Sequence, residues 1–213
     1  MKNKNTLKKQ IVLDSIIFVL LLMLTTSVAS IKIKDNAPYV DPVLVWVDDD
    51  FDENTPGWGY DHFKTIQDGI DGVYSGGCVF VAQGTYRERI EINKYGISLI
   101  GSASATPIIH GYPGTQVPPV VMISGYHAKI NGFTIIDGDS DHISTLIYVN
   151  STYNTISNNK LKLVEPWNGW SWDYESCAIY LAPSSNNNSI NNNYITAIKH
   201  ASCIILENSN DNL

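Results

Sequence analysis

The sequence carries little charge, and positive charge is especially scarce. Charged residues make up 16% of the 213 residues, and the formal net charge is −7. Lysine and arginine become sparse after residue 30, and no arginine follows Arg89. Because contacts to nucleic-acid phosphates need clustered cations, this composition excludes a nucleic-acid-binding surface.

The chain also lacks long apolar runs, apart from one near its start. Lysines at positions 2, 4, 8 and 9 precede the unbroken apolar stretch Ile16–Leu24, and small or polar residues continue to Ser30. This three-part pattern predicts a secretory signal over residues 1–30, cleaved after Ala29 or Ser30. An uncleaved anchor is the alternative, but the apolar stretch is short for a span of about 20 residues. No second membrane segment follows, and the rest of the chain is long enough for one domain with a sizeable core.

A spaced repeat fills the second half of the sequence. The run Ile130–Ile135, apolar at its first and sixth positions, recurs as Ile156–Leu161 and Ile190–Ile195, and a fourth copy begins at Leu213. The four starts are 26, 34 and 23 residues apart. An apolar residue precedes each copy, by seven positions in three cases and by nine in the other: Ile123, Val149, Leu206 and Leu181. A period in the twenties, built from short β-type runs and polar turns, predicts a solenoid.

The strands expected before the repeat are equally short. They are Val43–Val47, Val79–Val81, Ile90–Ile92, Ile97–Ile100 and Pro107–Ile109. Their connections have no room for helices, which excludes βαβ units. We therefore expect an all-β fold, a right-handed single-stranded parallel β-helix whose coils stack and bury one interior column of apolar residues. The abundant asparagines between the runs are interpreted as turn residues, since Asn tolerates left-handed backbone conformations.

Apolar residues at helical intervals predict one short amphipathic helix over Asp61–Val73. Its place in the chain is that of an N-terminal cap, which an open solenoid end requires. The predicted organisation is a signal at 1–30, a lead-in strand and capping helix at 31–75, and coils at 76–213. Because the chain ends in the middle of a repeat, we expect further C-terminal coils or domains in a longer protein.

The three cysteines cannot all pair with one another. Cys78 precedes an apolar run and is expected in a buried strand. Cys177 and Cys203 each follow a serine and open an apolar run, so they are predicted at equivalent places on successive coils, about 4.8 Å apart. A disulfide and two stacked thiols both fit that placement. No Cys/His grouping has zinc-site spacing.

The segments Phe63–Ile70, Val79–Tyr86, Ile90–Ile92 and Ile97–Gly101 resemble the opening of the pectin lyase-like superfamily, in which a Thr-Ile-Gln helix caps a coil that begins with a Gly-Thr-Tyr strand. The Ile/Asn repeats that follow resemble the NosD-type parallel β-helix proteins found in secreted and surface proteins. The resemblance covers roughly Val43–Leu213 and implies the fold, while the superfamily hosts lyases, esterases, hydrolases, epimerases and non-enzymes.

The sequence departs from the enzymes of that superfamily. Pectate lyases of this fold use a calcium-binding Asp cluster with an Arg base, yet no arginine follows Arg89 here. Pectin methylesterases use paired Asp residues with a downstream Arg and Gln, which the stretch Asp137–Asp141 does not match. The NosD resemblance implies copper handling, but soft copper sites favour Cys and Met, and only three of each are present.

The longest step between repeats contains an insertion rich in tryptophan. It begins at Glu165 and carries aromatic and acidic residues that suit sugar binding, because rings cover the apolar face of a pyranose and acids bond its hydroxyls. The predicted ligand-binding residues are Trp167, Trp170, Trp172, Asp173, Tyr174 and Glu175. The alternative is that the tryptophans pack the loop against the flank of the coil.

Two acidic groups are further candidates. Asp48, Asp50 and Asp52 have the alternate spacing of hard oxygen ligands that suit Ca²⁺, although a solvated turn explains them equally. Asp137, Asp139 and Asp141, next to His142, would share one face of an extended segment and could serve as a catalytic acid–base group, or they form a turn between coils. Asn150 and Asn187 begin N-glycosylation sequons in predicted turns.

Taken together, the sequence predicts a secreted or cell-envelope β-helix protein that acts as a scaffold or a carbohydrate-binding module, with a polysaccharide or cell-surface glycan as its partner. An alternative from another class is a polysaccharide-active enzyme, a lyase or glycoside hydrolase, that uses the group around Asp137, with or without calcium. A copper accessory protein of NosD type is the third hypothesis.

Overall fold

The computed structural model describes residues 40–112, 119–137, 145–163, 176–196 and 201–212. The predicted signal and the first part of the lead-in lie outside these residues. Among the helices of the described ranges, none has the length and apolar character that crossing a membrane requires.

Within the described ranges, seventeen short strands, numbered along the chain, form three sheets in which every pairing is parallel. Sheet A contains β1 (Leu44–Val47), β2 (His62–Phe63), β3 (Cys78–Val81), β6 (Ser98–Gly101), β9 (Lys129–Asn131), β12 (Thr155–Ser157) and β15 (Ser189–Asn191). Sheet B contains β4 (Thr85–Tyr86), β7 (Ile108–His110), β10 (Thr134–Ile136), β13 (Lys160–Lys162) and β16 (Tyr194–Thr196). Sheet C contains β5 (Ile90–Ile92), β8 (Val121–Ile123), β11 (Thr145–Val149), β14 (Ser176–Leu181) and β17 (Ala201–Leu206).

From β3 onward the chain visits sheets A, B and C in turn and then returns to A, one strand further along. Each circuit therefore makes three corners, which we call A–B, B–C and C–A. This mostly β architecture, with all-parallel sheets and one short helix among the described residues, is consistent with the predicted parallel solenoid.

The repeat aligned in the sequence is the repeat that stacks in the structure. Ile130 pairs with Ile156, which pairs with Ile190 in sheet A. The sixth positions of the same runs are in register in sheet B, and the preceding apolar residues are in register in sheet C: Ile135, Leu161 and Ile195, then Ile123, Val149, Leu181 and Leu206. All of these residues up to Leu181 are fully buried, whereas Ile190 and Ile195 are half-buried and Leu206 is exposed. Inward-facing apolar residues at a fixed place in each coil thus form the core.

The predicted helix is shorter than expected. Helix α1 spans Ile66–Gly72, with the Thr65 side chain accepting a hydrogen bond from the Asp68 N–H at its start. The residues before it form β2, which pairs with β1, so strand pairing replaces the first turn of the predicted helix. Gly69 and Gly72 weaken helix propensity, but a Cβ at either position would meet the side chain of Val47 or Phe63. Close packing explains both glycines.

Side chains from the first coil hold α1 against β5. The Glu88 carboxylate accepts hydrogen bonds from the backbone N–H groups of Ile66 and Gln67, at 2.8 and 3.0 Å. The Gln67 amide bonds both backbone groups of Glu91, and the Lys94 ammonium donates to two carbonyls at the end of the helix. Burial raises the pKa of Glu88 above its usual range. Gln67 thus supplies the backbone partners that a neighbouring strand would otherwise give to β5.

The asparagines have two different roles, of which the sequence predicted one. Asn158, Asn187 and Asn192 have positive φ in exposed turns, as expected. Five others are buried or half-buried and form ladders between coils, in which a side-chain oxygen accepts the backbone N–H of the coil before: Asn154, Asn188, Asn212, Asn159 and Asn193. Since buried N–H groups are costly to leave unpaired, these ladders stabilise the corners.

The predicted alignment of Cys177 with Cys203 is wrong. Cys177 pairs with Ser202, so Cys203 lies one position further along β17. A shift of one residue turns a side chain to the opposite face of a strand. Accordingly, Cys177 is buried and Cys203 is exposed, and no cysteine ladder or disulfide between them follows from the fold. Cys78, expected to be buried, is half-buried on the outer side of β3, where desolvation raises its pKa.

Candidate functional site

From β3 onward, the longest connections between strands all lie at the B–C corner. The A–B corner turns in two residues in the last three coils, whereas the B–C connections include 111–120, 137–144 and 163–175. Most of the extra length of the 34-residue step therefore falls at B–C. Because loops on a regular scaffold commonly carry function, this corner is the first candidate for a site.

A buried ion pair lies at the base of this corner. Arg89, just before β5, donates from Nη2 to Asp137 Oδ1 at 2.8 Å and to the Tyr112 carbonyl at 2.8 Å. The two charged side chains are 14% and 3% exposed. A Cβ on Gly111 would come within 2.7 Å of the Asp137 carboxylate, so glycine is needed there. The pair ties together three successive connections between sheets B and C.

Sequence reasoning singled out Asp137 but not its partner. The structure places Asp137 directly after β10, buried and bonded to Arg89, and not facing solvent in a turn. Asp139, Asp141 and His142 lie outside the described residues. A side-chain oxygen held by a guanidinium is less available for proton transfer, so the described geometry supports a structural part for Asp137 more directly than a catalytic one.

An aromatic pair lies on the outer face of sheet C, near the ends of its strands that lead into the C–A corner. Tyr148 in β11 and Tyr180 in β14 are in register, and their rings stack with centroids 5.3 Å apart and planes 7° apart. Both side chains are half-buried. Sequence reasoning missed them, although each tyrosine immediately precedes the apolar residue that precedes a repeat, Val149 or Leu181. This shared position relative to the repeat was the sequence signal that predicts two stacked tyrosines.

The predicted sugar-binding residues Trp167, Trp170, Trp172, Asp173, Tyr174 and Glu175 lie outside the described residues. The strands that bracket them are described, and β13 ends at Lys162 while β14 begins at Ser176. The insertion therefore leaves and rejoins the fold at the B–C corner, and it rejoins at Ser176, four residues before Tyr180.

The acidic turn near β1 is only partly the group predicted from the sequence. Carboxylate oxygens of Asp48, Asp49 and Asp50 lie within 4.8 Å of one another. Asp52 is not in that group, and its Oδ1 accepts a hydrogen bond from the Asn54 N–H at 2.9 Å. The Asp50 N–H donates to Asp48 Oδ1 at 3.0 Å. The segment is thus folded by its own carboxylates, an arrangement that acidic turns adopt without an ion, and calcium stays a prediction.

Both sequon asparagines are accessible. Asn150 follows β11 and Asn187 precedes β15, and both are exposed at the C–A corner. Exposure satisfies the first physical requirement for glycosylation, and modification itself stays a prediction.

Comparison with known proteins returned no relative: no protein-family model, curated protein or solved structure matches the chain significantly.

Proposed function

We propose that this chain is an extracytoplasmic right-handed parallel β-helix protein, related to the pectin lyase-like superfamily and its NosD-type repeats, that acts as a scaffold or carbohydrate-binding module. The proposed export depends on the signal-like leader, and the right hand on the general preference of parallel crossovers. Helix α1 is the proposed N-terminal cap, supported by the Gln67 bonds to the β5 backbone.

The observation that carries glycan binding is the occurrence of two features at the B–C corner with an aromatic pair on the adjoining face of sheet C. The long connections and the tryptophan-rich segment belong to the B–C corner, and Tyr148 and Tyr180 stack on the outer face of sheet C. Half-exposed aromatic rings next to polar groups are suited to the apolar faces and hydroxyls of sugars. The regular coils contribute the rigid support on which such contacts depend.

Binding to an array of glycans tests this proposal. The wild-type chain should bind at least one glycan, and replacing Trp167, Trp170 and Trp172 together with alanine should abolish binding. Tyr180→Ala should weaken it about tenfold, the loss expected for one aromatic contact. Trp58→Ala is the matched control, because Trp58 is 41% exposed but belongs to the connection between β1 and β2 and not to a B–C connection. Binding that survives the triple substitution contradicts the proposed site.

A second candidate is a polysaccharide-active enzyme, favoured by the convergence of Arg89 and Asp137 at the same corner. A cation beside a carboxylate under the long loops is the arrangement that such chemistry would need. Incubation with a panel of polysaccharides, with release of reducing or unsaturated ends as the readout, tests it. Product that disappears in Asp139→Asn or Asp141→Asn, while the unfolding temperature is kept, would support the enzyme. If no polysaccharide yields product, the enzyme hypothesis is contradicted and the carbohydrate-binding module is the proposal that stands.

A further inference from the structure

The backbone takes positive φ at one stacked position in six successive turns, which are the turn before β3, the four C–A corners and the turn after β17. These positions have φ between +55° and +85° and are Gly76, Gly96, His127, Tyr153, Asn187 and Asp211. Hydrogen bonds show that the first five are stacked equivalents, because each donates its N–H to the carbonyl of the residue before the next one in the column. We call this set the C–A left-handed column.

Two members of the column are unsuited to that backbone. Glycine adopts positive φ without cost, and Asn and Asp do so readily, but a side chain such as tyrosine is disfavoured there. Neighbouring coils place Gly96 and Asn187 at the equivalent positions. Because glycine or asparagine, which adopt positive φ at little cost, occupies the same turn one coil away, the backbone conformation does not explain why a tyrosine is present at position 153. It explains the histidine at position 127 only in part. Strain that persists at such a position is a pointer to function.

The rings at these positions form an exposed stripe. The His127 ring stacks on Tyr153, with centroids 5.0 Å apart and planes 8° apart, and meets Tyr95 edge-on at 5.3 Å. Tyr126, beside His127, has no ring contact among the described residues. The three tyrosines are 60%, 55% and 53% exposed in the order Tyr95, Tyr126 and Tyr153. We call these four residues the aromatic stripe; it runs along the stacking direction of the coils.

The surroundings of the stripe are polar and nearly uncharged. The three turns that carry it are 93–97, 124–128 and 150–154, and besides His127 they contain one ionisable cation, Lys94. The Lys94 ammonium is engaged with the carbonyls of Asp71 and Val73, at 2.6 and 2.8 Å. Hydroxyl and amide groups make up most of the rest, among them Thr152 and the exposed Asn150.

We propose that the aromatic stripe is a binding site for a neutral, linear polysaccharide lying along the stack of coils. Rings recur at the strand spacing of about 4.8 Å, so an extended polymer can place successive sugars against successive coils. The Tyr126 ring, which is not stacked on another ring of the described residues, covers the apolar face of a sugar, while the polar atoms at the edges of the stacked His127 and Tyr153 rings, with the flanking amides and hydroxyls, bond sugar hydroxyls. The site is separate from the B–C corner, since sheet C lies between the two corners.

An anionic polymer would meet one exposed lysine beside the stripe, Lys129 at the start of β9, which is too little for a chain charged at every sugar. A protein partner would meet a strip one or two rings wide, far from the roughly 800 Å² that a stable interface takes from each partner. A proline-rich peptide is the closest competitor, because aromatic grooves also recognise extended proline helices. It enters the experiment as an outcome.

Affinity electrophoresis through gels containing hydroxyethylcellulose, glucomannan, xylan, mannan or galactan tests the proposal, with protein produced without N-linked glycans. The wild-type chain should be retarded in at least one gel. Tyr126→Ala and Tyr153→Asn should each weaken retardation roughly five- to tenfold. Tyr153→Asn installs the residue that the next coil uses in this turn, so its melting temperature should stay within about 4 °C of wild type.

The matched control is Tyr194→Ala, which removes a tyrosine that is 67% exposed on the outer face of sheet B. It should leave retardation unchanged. Retardation in no gel overturns the proposal, and so does binding only to a proline-rich peptide. Retardation that is abolished by alanine at Trp167, Trp170 and Trp172 but kept in Tyr126→Ala and Tyr153→Asn also overturns it, while supporting the B–C site. The reverse pattern supports the stripe and contradicts the B–C site.

Discussion

The A–B and C–A corners of the coil solve the same problem with different residues. Both turn the chain through a left-handed position, and both satisfy buried backbone N–H groups with an asparagine ladder. At the A–B corner the left-handed positions are held only by glycine and asparagine: Gly132, Asn158 and Asn192. At the C–A corner the middle coils hold His127 and Tyr153 instead.

The difference shows which residues serve the backbone and which serve the surface. An A–B turn of two residues is tightly constrained, so its left-handed position holds only the residue types that favour this backbone conformation. The C–A turn accepts a conformational cost and presents rings to solvent. The B–C corner differs from both, because its connections vary in length and the buried ion pair Arg89–Asp137 links them.

The largest effect is expected at the B–C corner, where charge and not an amide ladder holds the coils. Arg89→Met should lower the free energy of unfolding by about 3 to 5 kcal/mol, because it leaves the Asp137 carboxylate buried without its arginine. Urea unfolding followed by circular dichroism measures this change. Arg87→Met is the control, since Arg87 is exposed and contacts His110 on the outer face of sheet B. Equal losses of unfolding free energy in the two variants would show that the buried ion pair contributes no more to stability than an exposed arginine does.

The second-largest loss of stability is expected at the asparagine ladder of the A–B corner, formed by Asn159 and Asn193. Asn159 is 1% exposed; it accepts the Phe133 N–H at 3.0 Å and donates to the Ile130 carbonyl at 3.2 Å. Asn159→Ala leaves these groups unpaired and should cost about 2 to 3 kcal/mol in unfolding free energy. Asn191→Ala, which removes an exposed amide bonded only locally to Ser189, should cost less than about 0.5 kcal/mol. A small effect at Asn159 would mean that water replaces the ladder.

Sequence was sufficient for the register of the core and insufficient for the corners. Apolar spacing identified Ile130, Ile156 and Ile190 as equivalent because only matching positions can share the interior. Asparagine, in contrast, suits both an exposed left-handed turn and a buried ladder. Its two roles at Asn158 and Asn159 differ by one residue, and no composition argument separates them.

The cysteine error has the same origin. The Ser-Cys runs look alike, but Cys177 lies four residues before Leu181 and Cys203 lies three before Leu206. Counting back from the matched leucines places Ser202 opposite Cys177, as the structure does. The stacked pair Tyr148–Tyr180 would have emerged from the same count. Partners such as Arg89 and Asp137, from different coils, need the corner geometry and could not be found by periodicity.

Exchanging the corner chemistries tests the comparison directly. Asn158→Tyr places a bulky ring in the A–B left-handed position and should cost about 1 to 2 kcal/mol in unfolding free energy. Asn158→Gly, which keeps the backbone preference, should change stability by less than about 0.5 kcal/mol. If both variants unfold at the wild-type urea concentration, the left-handed position does not discriminate between side chains, and the rings at the C–A corner would need no functional explanation.

The smallest effect is expected from the reverse exchange. Tyr153→Asn removes a backbone cost of about 1 to 2 kcal/mol and a ring stack with His127 worth about 0.5 to 1.5 kcal/mol. The two nearly offset each other, so the free energy of unfolding should stay within about 1 kcal/mol of wild type. Asn187, the next residue of the column, shows that asparagine fits this turn. A loss of more than about 2 kcal/mol would mean that the Tyr153 ring is a structural support. Unchanged stability, together with lost polysaccharide retardation, would separate what the C–A turn needs in order to fold from what its rings add at the surface.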